Sequence, residues 1–290
     1  MTLFDSHCHA WRRWPYDAAV PDPQHRGSID GLLYEMDRHG VDRAAVVCAR
    51  IGHEIGRAFD NGDNNDYVAE AVRRHPDRLV QVADIDCVWR SEHHTPGAAT
   101  RLRQTVERYG VPAVTHYVGP EDDGWFGTDD GLEFFTAAAE LGIVVSLAAG
   151  PAWQPSIRQI ALRLPGLRVL LHHLGGVRLG PGVARDLEAV LANADLGNVY
   201  IKASGFHYLT DPSWDYPYTR AREQILRPLL AAFGACRMAW GSDFPAARWH
   251  LTYTQSLEAF RCCGDWLSAT DLAMLLGGTM ADLLSTTRRK

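Results

Sequence analysis

Asp5-Ser6-His7-Cys8-His9 closes the first apolar run of this 290-residue chain, and its reading decides the fold. A strand shows every second side chain to one face. Asp5, His7 and His9 are therefore expected on one face, with Ser6 and Cys8 on the other. Two imidazoles two positions apart lie about 7 Å from each other along a strand. They can converge on one metal ion or one bound molecule. A His-x-His pair also arises by chance in a chain with 13 histidines, so its weight depends on the rest of the chain.

Beyond this motif, short apolar runs alternate with amphipathic stretches along the whole length. Helices are expected at 29–38, 65–75, 98–109, 131–141, 156–164, 181–192 and 218–233. Strands are expected between them at 43–50, 79–86, 113–118, 143–148, 167–173, 199–204 and 237–243. Two helices, at 252–262 and 269–284, finish the chain. Pro76-Asp77 breaks the second helix, and Pro181 suits a helix start. Repeated β-α units imply a parallel sheet, and eight of them in a chain of this length suit a (β/α)8 TIM barrel, read as one domain over 1–290. A doubly wound open sheet is the alternative, but no Gly-x-Gly-x-x-Gly follows the first strand.

Bulk properties narrow the function. Net charge is −6, and Arg288-Arg289-Lys290 is too short to form a basic cluster. Nucleic-acid binding needs a concentrated cationic face, so no such partner is expected. No apolar run approaches the roughly 18 residues of a membrane span. The first strand begins too early for a signal peptide, and a cytoplasmic location is expected. Cys8, Cys48, Cys87 and Cys236 are isolated, Cys262 and Cys263 are adjacent, and no Cys-x-x-Cys spacing occurs. Buried or partly buried thiols are the expectation.

Catalytic groups of such a barrel come from the C-terminal ends of its strands. Those ends carry His7 and His9, Arg50, Asp84 and Asp86, His116, Ser146, His172-His173, Lys202 and Ser204, and Asp243. The polar residues begin where each apolar run stops, which favours a site over chance. Asp243 can take a proton from water, bind a metal or orient a histidine; the plain alternative is a helix N-cap before Pro245. Val169 and Leu171 are in phase with His173, which places His173 inward and His172 toward the helices. Lys202 is costly inside a barrel unless paired, and either anchors an anionic substrate group or forms a structural ion pair.

These motifs together resemble those of a known family. Asp5-Ser6-His7-Cys8-His9 resembles the first-strand motif of the amidohydrolase superfamily, and Leu171-His172-His173-Leu174-Gly175-Gly176 its sixth-strand His-Leu-Gly motif. Val199–Gly205, Trp240–Pro245 and Leu276–Thr279 are similar to its seventh-strand, eighth-strand and closing-helix signatures. The resemblance is closest to the amidohydrolase-related branch, which includes lactonases and metal-dependent aromatic decarboxylases. It implies a distorted barrel, with His7 and His9 at the metal or substrate position, His173 polarising a carbonyl and Asp243 handling the hydrolytic water. Metal-dependent members usually add a fifth-strand histidine, whereas Val144-Val145-Ser146-Leu147-Ala148-Ala149 has none. The implied cofactor is then either none or one divalent ion, zinc, on His7, His9 and Asp243. His172 also stands where aspartate is common.

Trp11, Trp14, Trp89, Trp125, Trp153, Trp214 and Trp249 fall in the expected strand-to-helix loops. Converging rings would form a deep apolar pocket for a bulky or aromatic small molecule. The alternative is that they brace loops or form the interface of a homo-oligomer. Arg50, Arg178 and Arg248 can clamp a carboxylate or make surface ion pairs. The expected binding residues are therefore His7, His9, Arg50, His116, Lys202, Trp153 and Arg248, with Asp243 and His173 catalytic. The leading expectation is hydrolysis of a lactone or related cyclic ester. Metal-dependent decarboxylation is the first alternative, and acid–base cyclisation or isomerisation the second.

Overall fold

A computed structural model describes residues 2–17, 19–52, 59–261 and 266–285. Cys262, Cys263 and the Arg288–Lys290 tail lie outside the described residues. Eight strands are hydrogen-bonded in parallel in chain order: β1 (Phe4–Cys8), β2 (Arg43–Val47), β3 (Leu79–Asp84), β4 (Ala113–Tyr117), β5 (Val144–Ala148), β6 (Arg168–Leu171), β7 (Val199–Ala203) and β8 (Met238–Trp240). The ring is nearly closed by two bonds just past β8. Asp243 N donates to His7 O at 2.8 Å, and His9 N donates to Phe244 O at 2.6 Å.

Six helices alternate with the strands: α1 (Ile29–His39), α2 (Asn64–Arg74), α3 (Ala98–Tyr109), α4 (Asp129–Glu140), α5 (Gln154–Arg163) and α6 (Val183–Leu191). The local chemistry explains their limits. Ser28 Oγ accepts from Gly31 N to cap α1, Ile29, Leu32 and Met36 form its buried stripe, and Gly40 at φ 63° ends it. After β7, the expected 218–233 helix is a helical path broken by a π turn at Arg222–Leu226. No helix among the described residues is long and apolar enough to cross a membrane.

Strand alternation sorts the core into two layers. Phe4, Ala45, Val47, Val80, Val82, Ala113, Val144, Leu170 and Ala239 fill the barrel, and Met280, Leu283 and Leu284 pack with them from the last helix. The alternate residues, including Val46, Ala83, Val114, Val145, Val169 and Leu171, belong to the layer under the helices. Each fully buried Val, Leu or Phe contributes roughly 1.5–3 kcal/mol, so a frame shift in any strand is strongly disfavoured. The ladders stop two or three residues before several expected strand ends. Those released residues carry most of the site.

Two expectations change here. The β1 register shifts between Asp5 and Cys8, so Asp5 does not share the face of the histidines. Its carboxylate accepts from Ser242 N, Ser242 Oγ and Tyr253 Oη at 2.9, 2.5 and 3.0 Å, holding the end of β8 against the helix Tyr253–Arg261. Burial raises this carboxyl to about 6 despite the donors. Among the isolated thiols, Cys8, Cys48 and Cys87 are buried but Cys236 is exposed, because it sits in the turn leading into β8.

Candidate active site

The register shift in β1 turns both His7 and His9 into the mouth of the barrel. His9 Nδ1 lies 2.8 Å from Val47 O on β2. A carbonyl only accepts, so this nitrogen carries the proton and Nε2 is left as a lone pair. The His9 ring stacks on Trp11 with centroids 5.0 Å apart. His7 Nδ1 lies 2.9 Å from Lys202 Nζ, which β7 directs inward. Gly241 makes room for His7, since a Cβ there would stand 2.6 Å from His7 Cβ.

Asp243 leaves β8 at φ 56° and enters the cluster. Its Oδ1 is 3.4 Å from Nε2 of both His7 and His9, and its Oδ2 is 3.3 Å from His207 Nε2. These contacts lack hydrogen-bond geometry, and both carboxylate oxygens are buried without a hydrogen-bond partner. Burial by itself would raise the Asp243 carboxyl, but His173, His207, His7 and His9 outweigh it and hold the group well below the ordinary carboxylate range. It is an anion at neutral pH. His7 and His172 are pushed well below the usual imidazole value by burial and by Lys202, and burial takes His173 to about 4. Lys202 falls to about 7 for the same reason.

The sixth strand departs from the phase read from sequence. Val169 and Leu171 face the helices, Leu170 faces inward, and His172 continues that inward phase. His172 Nε2 is 2.7 Å from Ser146 Oγ of β5, and its ring centroid is 4.5 Å from that of His7. His173 enters by a different route. It has left the ladder at φ 45°, and its ring lies 4.6 Å from His7 with Nδ1 3.0 Å from Ser204 Oγ. Both neighbours therefore reach the site, one by alternation and one by a turn.

The donor set fits a divalent ion. Ligand atoms about 2.1 Å from one tetrahedral ion stand about 3.4 Å apart. The observed separations are 3.2 Å between the two Nε2 atoms and 3.4 Å from each to Asp243 Oδ1. His9 already presents a lone pair, and the unpartnered carboxylate oxygens present theirs. His7 can do the same with its proton on Nδ1, because a lysine with a pKa near 7 offers an amine to accept it. Two imidazoles and a carboxylate suit zinc.

The structure brings together His7, His9, His173, Lys202 and Asp243. It places the other expected residues elsewhere. Arg50 donates to Glu92 at 2.9 Å and to Gly62 O at 3.1 Å, beside β3. His116 points out of the barrel, with Nδ1 3.0 Å from Ile85 O and its ring among Trp125, Phe126 and Phe134. Trp153 is buried under the helices and donates to Gly119 O. Arg248 is exposed above Phe244. Of the tryptophans, Trp11 and Trp14 pack at the mouth with Tyr16 and Trp249, while Trp214 is 68 % exposed. His207 went unnoticed in the sequence. It lies in the short helix Phe206–Leu209 just past β7, after the same kind of strand end that singled out the arginines. Tyr117 and Tyr208, edge-on to His172 and His173, were missed for want of any polar motif.

Comparison with known proteins agrees with this architecture. L-fucono-1,5-lactonase of Burkholderia ambifaria is 28 % identical, covering 94 % of this chain and 92 % of its own. An amidohydrolase from Burkholderia multivorans is 22 % identical over 98 % of this chain and 99 % of its own; it superimposes with a TM-score of 0.77 in a crystal form with bound HEPES and 0.75 in one with bound zinc. A 2,6-dihydroxybenzoate decarboxylase from Rhizobium is 17 % identical over 98 % and 99 % of the two chains, with a TM-score of 0.66. The sequence model of the amidohydrolase family matches residues 4–285. With eight parallel strands closing around a histidine–aspartate cluster and nearly every residue covered by that match, this chain belongs to the amidohydrolase family.

Proposed function

We propose that this protein hydrolyses a lactone or related cyclic ester of a small molecule. The observation that carries the reading is Asp243, a buried carboxylate held ionised, with neither oxygen engaged in a hydrogen bond and three imidazole Nε2 atoms within 3.4 Å. Such a group is unprotonated at neutral pH and has free oxygens to accept a proton from water as the attack on the carbonyl proceeds. The lactonase relative adds support, at 28 % identity over nearly the full length of both chains.

Water beside Asp243 gives up a proton to the carboxylate as its oxygen bonds to the lactone carbonyl carbon. His173 is neutral at pH 7 and has Ser204 at Nδ1. With Ser204 donating there, Nε2 keeps its hydrogen and stabilises the developing oxyanion. The ring C–O bond then breaks, and the proton held by Asp243 passes to the departing oxygen. The product is the open hydroxy acid. A divalent ion held by His7, His9 and Asp243 would supply Lewis acidity and a more acidic water. Trp11, Tyr117 and Tyr208 give the ring of the substrate aromatic walls.

Asp243→Asn keeps the shape and removes the base. On a panel of sugar and aromatic lactones, kcat should fall at least ~100-fold with the circular dichroism spectrum unchanged. Hydrolysis in 18O-labelled water should place one labelled oxygen in the product. Full activity in the variant would overturn the role of Asp243. Carbon dioxide release, or a product of unchanged mass, would replace hydrolysis with decarboxylation or isomerisation.

A further inference from the structure

A second histidine cluster lies outside the barrel, between the loop that follows β3 and the outer face of β4. His93, His94 and His116 each place one ring nitrogen within 4.8 Å of the other two. The hydrogen bonds around them settle which atoms are free. His93 Nδ1 is 2.7 Å from Asp86 O, His94 Nδ1 is 2.6 Å from an Asp123 carboxylate oxygen, and His116 Nδ1 is 3.0 Å from Ile85 O. All three partners only accept, so each Nδ1 carries a hydrogen, and the neutral tautomer of each ring has a bare Nε2. His94 Nε2 and His116 Nε2 are 3.1 Å apart. Two lone pairs at that separation repel unless something positive lies between them.

The surroundings hold this geometry in advance. Arg101 binds both oxygens of Asp86 at 2.6 and 2.7 Å and also donates to the carbonyls of Glu92 and Thr95, which fixes the loop on both sides of the histidines. His94 adopts φ 53°, uncommon for a residue with a side chain, and its ring lies flat on Trp125 with centroids 4.1 Å apart and planes within 6°. His116 is fully buried, whereas His93 and His94 are partly exposed, so an ion can enter from solvent.

From this arrangement we infer that His93, His94 and His116 form a second metal site, independent of His7, His9 and Asp243, that takes a divalent transition ion of the zinc class. Imidazole donors select zinc and its neighbours over magnesium or calcium, which want oxygen. Three histidines oriented by carbonyl and carboxylate acceptors leave a fourth position for water. An ion there ties the loop after β3 to β4.

The test uses His9→Ala as background, so that uptake in the barrel is weakened. Zinc uptake is measured by equilibrium dialysis and metal analysis, and Co2+ uptake by its visible absorption. His9→Ala should keep one tightly bound ion. Adding His94→Asn, chosen because asparagine tolerates a positive φ, should lose it. Adding Asp123→Asn, an exposed loop position, should weaken it 10- to 100-fold without threatening the fold. Zinc should raise the melting temperature of His9→Ala and not of His9→Ala/His94→Asn. If His9→Ala alone abolishes uptake, or if neither further substitution alters it, a proton shared between His94 and His116 replaces the ion and the inference falls.

Discussion

Lys202 offers the sharpest test of the electrostatics derived for the barrel. It is fully buried, and burial takes its ammonium from 10.5 to about 7. A depression of that size corresponds to about 5 kcal/mol against the charged native state. The cost is full below pH 7, where the native and unfolded chains both carry the charge. Between pH 7 and 10.5 the native amine is neutral while the unfolded chain still binds a proton, so the cost shrinks and stability rises with pH. Lys202→Met keeps the length and removes the titration. Its stability relative to the wild type should therefore be highest at pH 6 and about 3 kcal/mol less favourable at pH 9. Loss of the partner at His7 Nδ1 adds a constant offset of about 1–3 kcal/mol in the opposite sense. Equilibrium urea unfolding at pH 6, 7.5 and 9 measures the difference. A gap between the two proteins that does not change with pH would refute the buried-ammonium argument.

Two further substitutions probe the supports of the site. Gly205 has φ 69°, and a Cβ there would stand 2.6 Å from His173 Cγ. Gly205→Ala should push His173 from Ser204 and cut kcat by at least ~10-fold, with KM for the same lactone changed less; an unaffected kcat would remove His173 from the reaction. Tyr253→Phe deletes one donor to the buried Asp5 carboxylate and should cost about 1–3 kcal/mol in urea unfolding; a neutral substitution would show that Ser242 and the His7 backbone N–H suffice to hold Asp5.

The barrel was legible because its signal is redundant. Each strand repeats an apolar run, each run ends in polar residues, and the helical stripes between them have a different period. Where a residue continued its strand's alternation, its facing could be read, as with Lys202 on β7. Periodicity does not announce how the chain leaves the ladder: His173 and Asp243, both expected at the site, reach it through positive φ. The phase assigned to β6 failed. A strand covered by side chains on both faces reads as continuous Val and Leu, so Val169 and Leu171 gave no clue that they face the helices and not the interior. His116 sits at a strand end like the site residues, yet an odd–even choice sends it outward to His94 and Trp125.

By itself the sequence determined the alternating architecture, the end of the barrel where the polar residues collect, and the placing of His7, His9 and Asp243 there. These follow from local periodicity and from the cost of placing polar groups at strand ends. Only the tertiary structure decided that Asp5 braces β8 and not the histidines, that His172 and His207 join His173 in the cluster, and that Arg50, His116, Trp153 and Arg248 do not. Those outcomes depend on a shifted register in β1, on turns after the strands and on ion pairs between loops distant in the chain. Such contacts arise from closing the barrel, and no single segment encodes them.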